Sequence, residues 1–179
     1  MSSYHRSVLL HESLEALGIF PEGVYVDVTF GGGGHSREIL KRLGSTGRLI
    51  AFDQDDDAVK NAPNDSRFTL VKKNFNELKS SLHELGIDNI NGLLADLGVS
   101  SHQFDTAERG FSTRFDGPLD MRMNRQNPLT AEVILNTYDA QELKQMFRLY
   151  GEVDNAGFLA KKILEARELL QIQTIDQLR

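Results

Sequence analysis

Four segments of this chain carry residue types suited to holding a polar, charged small molecule. The first is Asp27-Val28-Thr29-Phe30-Gly31-Gly32-Gly33-Gly34-His35. Glycines let the backbone approach a ligand closely, and amides at the start of a following helix can donate to it. Such a run also fits an ordinary tight turn. The dinucleotide fingerprint is only partly met: Gly31 and Gly33 fall in place, but Ser36 stands at the third glycine position. Asp27 sets a carboxylate ahead of the turn. That charge is unhelpful beside a pyrophosphate but suits a ligand bearing an ammonium and a sulfonium. The expectation therefore moves from a dinucleotide toward S-adenosylmethionine.

The second segment ends at Asp53, 19 residues after Gly34. A carboxylate at this spacing, closing a second strand, accepts hydrogen bonds from ribose hydroxyls. It does not separate S-adenosylmethionine from NAD, because both carry ribose. The third is Asn74-Phe75, where the ring admits two readings: a cover for an adenine face, or a core phenylalanine. The fourth is Asp96-Leu97-Gly98-Val99-Ser100-Ser101. Its carboxylate would face the place where a transferred group sits, and could hold the cofactor's amino-acid end or a substrate amine. His35 reads equally as a cofactor contact, a base, or a solvated residue at a helix start. No His/Asp/Glu set has metal-ligand spacing and no nucleophile elbow is present, so neither a catalytic metal nor an acyl-enzyme is expected.

These segments need strands to end where they begin. Residues 24–30 are β-branched and aromatic and run straight into the glycines, which predicts a buried strand and a tight loop. Residues 35–43 have helical spacing, with Gly44 as the stop. Residues 48–53 and 68–72 predict two more strands, with a short helix beyond the acidic cluster Asp53, Asp55, Asp56 and Asp57. A helix over 76–85 and a fourth strand over 90–96 complete the pattern. Strands alternating with helices imply an α/β fold with a parallel sheet.

From Leu97 to Pro128 the pattern dissolves into Gly, Ser, Asp, Arg and Pro, a long loop of the kind that is usually functional or mobile. It carries Arg109, Arg114, Arg122 and Arg125, whose forks suit phosphates and bases. Asp105, Glu108, Asp116 and Asp120 match them in number, so internal salt bridges are the competing reading. Helices are predicted over 130–136, 140–150 and 155–170. Thr174-Ile175-Asp176-Gln177 has the form of a capping box that announces a further helix. Only four strands are visible, at least one sheet edge would be left open, and a fragment of a longer protein is the expectation.

Composition narrows the function classes. The chain has 179 residues, 40% hydrophobic and 26% charged, as for an ordinary folded domain. It contains no cysteine, which removes disulfides, thiolate metal sites and thiolate attack on a base ring. The net charge of -6 means that any nucleic-acid contact needs a local basic patch or a further part of a longer protein. Residues 1–6 lead into an amphipathic segment without a secretory core, and no stretch approaches a membrane span, so the cytoplasm is expected.

Three stretches resemble one family: Thr29-Phe30-Gly31-Gly32-Gly33-Gly34-His35-Ser36, Asp96-Leu97-Gly98-Val99-Ser100-Ser101, and Glu108-Arg109-Gly110-Phe111-Ser112. A fourth, Asp116-Gly117-Pro118-Leu119-Asp120-Met121-Arg122-Met123, is more specific than any glycine loop. Together with Val8-Leu9-Leu10 and Tyr150-Gly151-Glu152, these are similar to the bacterial 16S ribosomal RNA cytosine-N(4) methyltransferases. His102-Gln103-Phe104 departs from the more usual Pro-Gln-Leu, and the family's chains are much longer. The resemblance implies a class I S-adenosylmethionine methyltransferase fold, a Rossmann-like parallel sheet with an inserted helical domain. The sheet would be incomplete in this chain, with residues 1–128 as the cofactor-binding part and 129–179 as the start of the insertion.

Carried over residue by residue, the family's cofactor contacts fall on Gly33, Gly34, His35, Asp53, Phe75, Asp96 and Gln103. The activity implied is methyl transfer from S-adenosylmethionine to the exocyclic N(4) amine of a cytosine in 16S ribosomal RNA of the small subunit. Asp96 is the candidate catalytic acceptor, and Arg109 and Arg122 are candidates for meeting RNA phosphates. No membrane partner is expected; a homodimer is compatible with the resemblance. Two rivals stand beside this reading: an NAD-linked oxidoreductase, and a non-catalytic RNA-binding or assembly module on the same fold.

Overall fold

The computed structural model describes residues 7–179, so the reading of the first six residues lies outside it. The chain divides into two compact units, Met1–Ser100 and Ser101–Arg179. In the first, α1 (Leu10–Leu17) precedes β1 (Val24–Asp27), and α2 (Gly34–Arg42) carries the chain to β2 (Arg48–Phe52). A single turn, α3 (Asp56–Val59), leads to β3 (Phe68–Val71). A 3-10 turn over Phe75–Glu77 then runs into α4 (Leu78–Glu84) and β4 (Gly92–Leu94). All strand pairs are parallel, in the order β3-β2-β1-β4.

The two central strands are covered on both faces, which explains their unbroken apolar character. Tyr25 and Leu49 pack with Leu14 of α1 and Ile39 and Leu40 of α2. Val26, Ile50 and Phe52, at the alternate positions of the two strands, pack on the other face with Leu78 and Leu82 of α4. β1 has β2 on one side and β4 on the other, so the chain order reverses at its carboxyl end. Open α/β sheets bind ligands in the crevice beyond such a reversal, and the order agrees with the first four strands of a Rossmann-like sheet.

β1 stops at Asp27, earlier than its composition predicts. The Thr29 amide donates back to the Asp27 carboxylate at 3.0 Å and draws the chain out of the ladder. Val28 still donates to the Leu94 carbonyl, and Phe30 to that of Phe52. The helix expected over 76–85 is a 3-10 turn continued by α4, the Asn74 side chain accepting from the Asn76 amide at its start.

The second unit begins with α5 (Ser101–Asp105) and a 3-10 turn over Ala107–Arg109, neither of which the loop composition suggested. It continues with α6 (Ala131–Thr137), α7 (Ala140–Gly151), α8 (Ala156–Leu169) and α9 (Ile175–Leu178). A complete capping box opens α7, with Asp139 and Glu142 as its reciprocal partners. The same device, Thr174 with Gln177, opens α9, whose first turn is present.

The long loop is not slack. Pro118 forms an antiparallel bridge with Thr174. The Leu119 amide donates to the Gln173 carbonyl, and the Ile175 amide to that of Gly117. The Leu119 side chain is buried with Leu135, Leu143, Ala160, Ile163, Ile172 and Ile175. The division between the compact units falls after Ser100, near the start of this loop. No helix among the described residues is long and apolar enough to cross a membrane.

Because Leu119 belongs to the helical core, Leu119→Ala should destabilise that unit by about 2–5 kcal/mol. Urea denaturation followed by circular dichroism measures this. An unchanged midpoint would mean that the loop contributes no core.

Candidate active site

The glycine loop between β1 and α2 has a conformation that other residues resist. Gly33 has φ +73°, and a Cβ there would lie 2.8 Å from the ring of buried Phe30. A Cβ on Gly34 would collide with the Ser7 hydroxyl. The loop is braced from outside by Asn61, whose side-chain amide donates to the Gly31 carbonyl at 3.1 Å. The Arg37 guanidinium reaches the carbonyls of Gly32 and Asn61. No side chain caps α2, so the first amides of this helix form a polar cradle suited to a carboxylate or other acceptor.

Asp53 lies just beyond β2 and faces this loop. One carboxylate oxygen accepts from the Gly31 amide at 2.7 Å and the other from the Asp55 amide at 2.9 Å. Burial pushes its carboxyl above the ordinary 3.8; the amides of Asp55, Gly31 and Gln54 pull it back, and the charge of Asp55 adds to the rise. A carboxylate offers about four lone-pair directions, so capacity is left to accept from a hydroxyl beside those amides. Phe75 opens the 3-10 turn after β3 with 47% of its surface exposed. The core reading of that ring does not describe it, and it presents a free aromatic surface at a strand's carboxyl end.

Asp96 lies beyond β4 with a half-exposed side chain. His35, in the first turn of α2, is buried. Its Nε2 lies 3.1 Å from the Val8 carbonyl, which can only accept, so that nitrogen carries the proton. Nδ1 faces Asp96 Oδ2 at 4.0 Å. His35 thus anchors the segment before α1 while its other edge looks toward the end of β4.

Asp27 does something other than the sequence suggested. It is 1% exposed, its carboxylate turned inward to the hydroxyls of Ser36 (2.7 Å) and Thr29 (3.3 Å) and to the Thr29 amide. Burial raises its pKa above the ordinary 3.8 against these hydrogen bonds and the nearby His35. Ser36, whose presence broke the dinucleotide fingerprint, is there to donate to Asp27. Ser36, Thr29 and Asn61 are the members of the site that spacing did not single out. The departure at Ser36 and the family stretch running from Thr29 to Ser36 were the signals available for the first two.

Gln103, Arg109 and Arg122 belong to the second unit. Gln103 is buried on α5. Arg109 is 1% exposed, and its guanidinium donates to the Arg122 carbonyl at 2.8 Å. Arg122 forms a two-pronged pair with Asp120 (3.0 and 2.6 Å) and donates to the Arg125 and Asn127 carbonyls. These guanidiniums hold the loop together, a different duty from the phosphate contact expected of them. Arg125 is exposed on the same loop. Among the described residues no His/Cys/Asp/Glu group could hold a metal ion.

A family model described as the MraW methylase family matches residues 2–179. Ribosomal RNA small subunit methyltransferase H of Flavobacterium johnsoniae is 57% identical over 176 residues, covering 98% of this chain and 58% of that protein. Proteins of the same name from Christiangramia forsetii and Phocaeicola vulgatus are 53% and 55% identical, over 99% and 96% of this chain and 59% and 57% of their own lengths. The chain thus spans less than two thirds of the length of these relatives.

Asp27 holds a proton more readily folded than unfolded. Its contribution to stability is therefore greatest below pH 3.8 and declines as the pH rises through the folded value. Urea denaturation of the wild type and Asp27→Asn should show their stability difference moving toward the wild type as the pH falls toward 3.8. A constant difference, or one moving the other way, would contradict the burial argument.

Proposed function

The chain belongs to the MraW methylase family, and from that premise we propose that the intact protein transfers a methyl group from S-adenosylmethionine to the exocyclic N(4) amine of a cytosine in 16S ribosomal RNA. The observation that carries this reading is the convergence of polar groups at the strand reversal. The glycine cradle, Asp53 and Asp96 stand at the carboxyl ends of three neighbouring parallel strands, β1, β2 and β4.

In this reading the amides of Gly33, Gly34 and His35 hold the amino-acid end of the cofactor. Asp53 accepts from its ribose, and Phe75 lies against its adenine. Gln103 joins the set on the family resemblance alone. The cofactor supplies an electrophilic methyl group on a sulfonium. The cytosine amine is a poor nucleophile because its lone pair is delocalised into the ring, so the protein's task is placement and exclusion of water. Positioning of this kind can lower a barrier by ~7–11 kcal/mol.

Asp96 either receives the cofactor's ammonium or accepts from the cytosine amine and stabilises its developing positive charge. The target base must be splayed from its neighbours to reach that carboxylate. For phosphate contact, exposed Arg125 is better placed than Arg109 or Arg122, whose donors face the loop's own acceptors. With this reading go the small ribosomal subunit as the setting and the cytoplasm as the compartment. Residues 1–128 serve as the cofactor-binding part and 129–179 begin the inserted helical domain. A homodimer is checked by light scattering.

Calorimetric titration of the intact protein should give saturable binding of S-adenosylhomocysteine and none of NADH. Asp53→Ala should weaken that binding by about tenfold or more, as expected for losing hydrogen bonds to a charged acceptor. Labelled methyl should pass from the cofactor to 16S ribosomal RNA. Binding of NADH instead, or a folded protein that transfers no methyl to RNA, would overturn the reading.

A further inference from the structure

The backbone ladder between β1 and β4 has its last rung where the Val28 amide donates to the Leu94 carbonyl at 3.0 Å. Beyond it a side chain takes over. The Asp96 amide donates to the Thr29 hydroxyl at 2.7 Å, although the two residues are far apart in the chain. An amide can only donate, so the Thr29 oxygen is the acceptor in that contact. Its own proton is then available to Asp27 Oδ1, 3.3 Å away. Asp27 is itself held by the Thr29 amide and by Ser36 Oγ of α2. The hydroxyl therefore has a defined direction, set by a buried carboxylate that has little freedom to move.

We propose that Thr29 is a positioning residue: its hydroxyl, oriented by Asp27, extends the β1–β4 ladder by one step and thereby aims the Asp96 carboxylate. Asp96 is otherwise on an exposed loop with Gly98 close behind it at φ +151°, a backbone that would allow many directions. A carboxylate that must meet an ammonium or an exocyclic amine loses effectiveness when displaced by even a fraction of an ångström. One hydroxyl thus links the glycine loop, the start of α2 and the end of β4 into a single arrangement. The inference rests on the reading of Asp96 as a ligand contact.

The test is a titration of the intact protein with S-adenosylhomocysteine, in the wild type, Thr29→Val and Thr29→Ser, each with Asp96 present and in an Asp96→Ala background. Thr29→Val keeps the shape and removes the hydroxyl, and should weaken binding by about tenfold. Thr29→Ser restores the hydroxyl and should recover most of that loss. In the Asp96→Ala background Thr29→Val should cost nothing more, because the group it aims is gone. An unchanged affinity in Thr29→Val, or an equal loss with and without Asp96, overturns the proposal. Absence of binding by the folded wild type would instead overturn the cofactor reading beneath it. Should Thr29→Val fail to fold, hydrogen exchange in the wild type decides: the Asp96 amide must be protected, and rapid exchange refutes the contact.

Discussion

The Asp27 carboxylate sits at the end of the central strand, out of contact with water, and its partners there are two hydroxyls and one amide. Removing a charge from water is expensive unless hydrogen bonds replace the lost hydration. Meeting that requirement draws three elements together. Ser36 brings the start of α2, Thr29 brings the turn after β1, and through Thr29 the end of β4 is held as well. The glycine loop is the connection that remains when both its ends are tethered in this way. Within it Gly33 takes a positive φ, and Gly34 is approached closely by Ser7.

Around this centre the same economy of hydrogen bonds recurs. Asp53 holds the glycine loop through the Gly31 amide, and Asn61 holds it through the Gly31 carbonyl. The loop is therefore preorganised by contacts to both backbone polar groups of Gly31. A site whose amides and carboxylates are already in place avoids the entropy cost of ordering them when a ligand arrives. The mixture of rigid backbone and half-exposed Phe75 and Asp96 is consistent with a cradle that grips one part of a ligand and leaves another open to a second reactant.

The helical unit shows how a loop without secondary structure can still be ordered. Arginines dense among aspartates have internal partners within a few residues, and backbone carbonyls left unpaired by the loop supply the rest. Arg122 satisfies Asp120 and two carbonyls at once, and buried Arg109 joins distant turns of the same loop. Leu119 then anchors the assembly in the helix core. A guanidinium fork that can bind phosphate serves equally well as a template for its own chain, and residue type alone does not separate the two duties.

How much was legible in the sequence follows from the range of each interaction. Apolar runs and helical spacing determined four strands, the helices between them and the parallel class, because burial of one face or two is written in local periodicity. The glycine run, Asp53 and Asp96 were legible as strand-end groups for the same reason. The capping box at Thr174 is equally local. What only the tertiary structure decided are contacts between residues distant in the chain: Thr29 with Asp96, Leu119 with the helices, and Gly117 with Ile175. The inward turn of Asp27 belongs with these, since its burial depends on strands and a helix supplied by other segments. A carboxylate's type gives its charge, but only the packed neighbours decide whether that charge faces a ligand or holds the fold together.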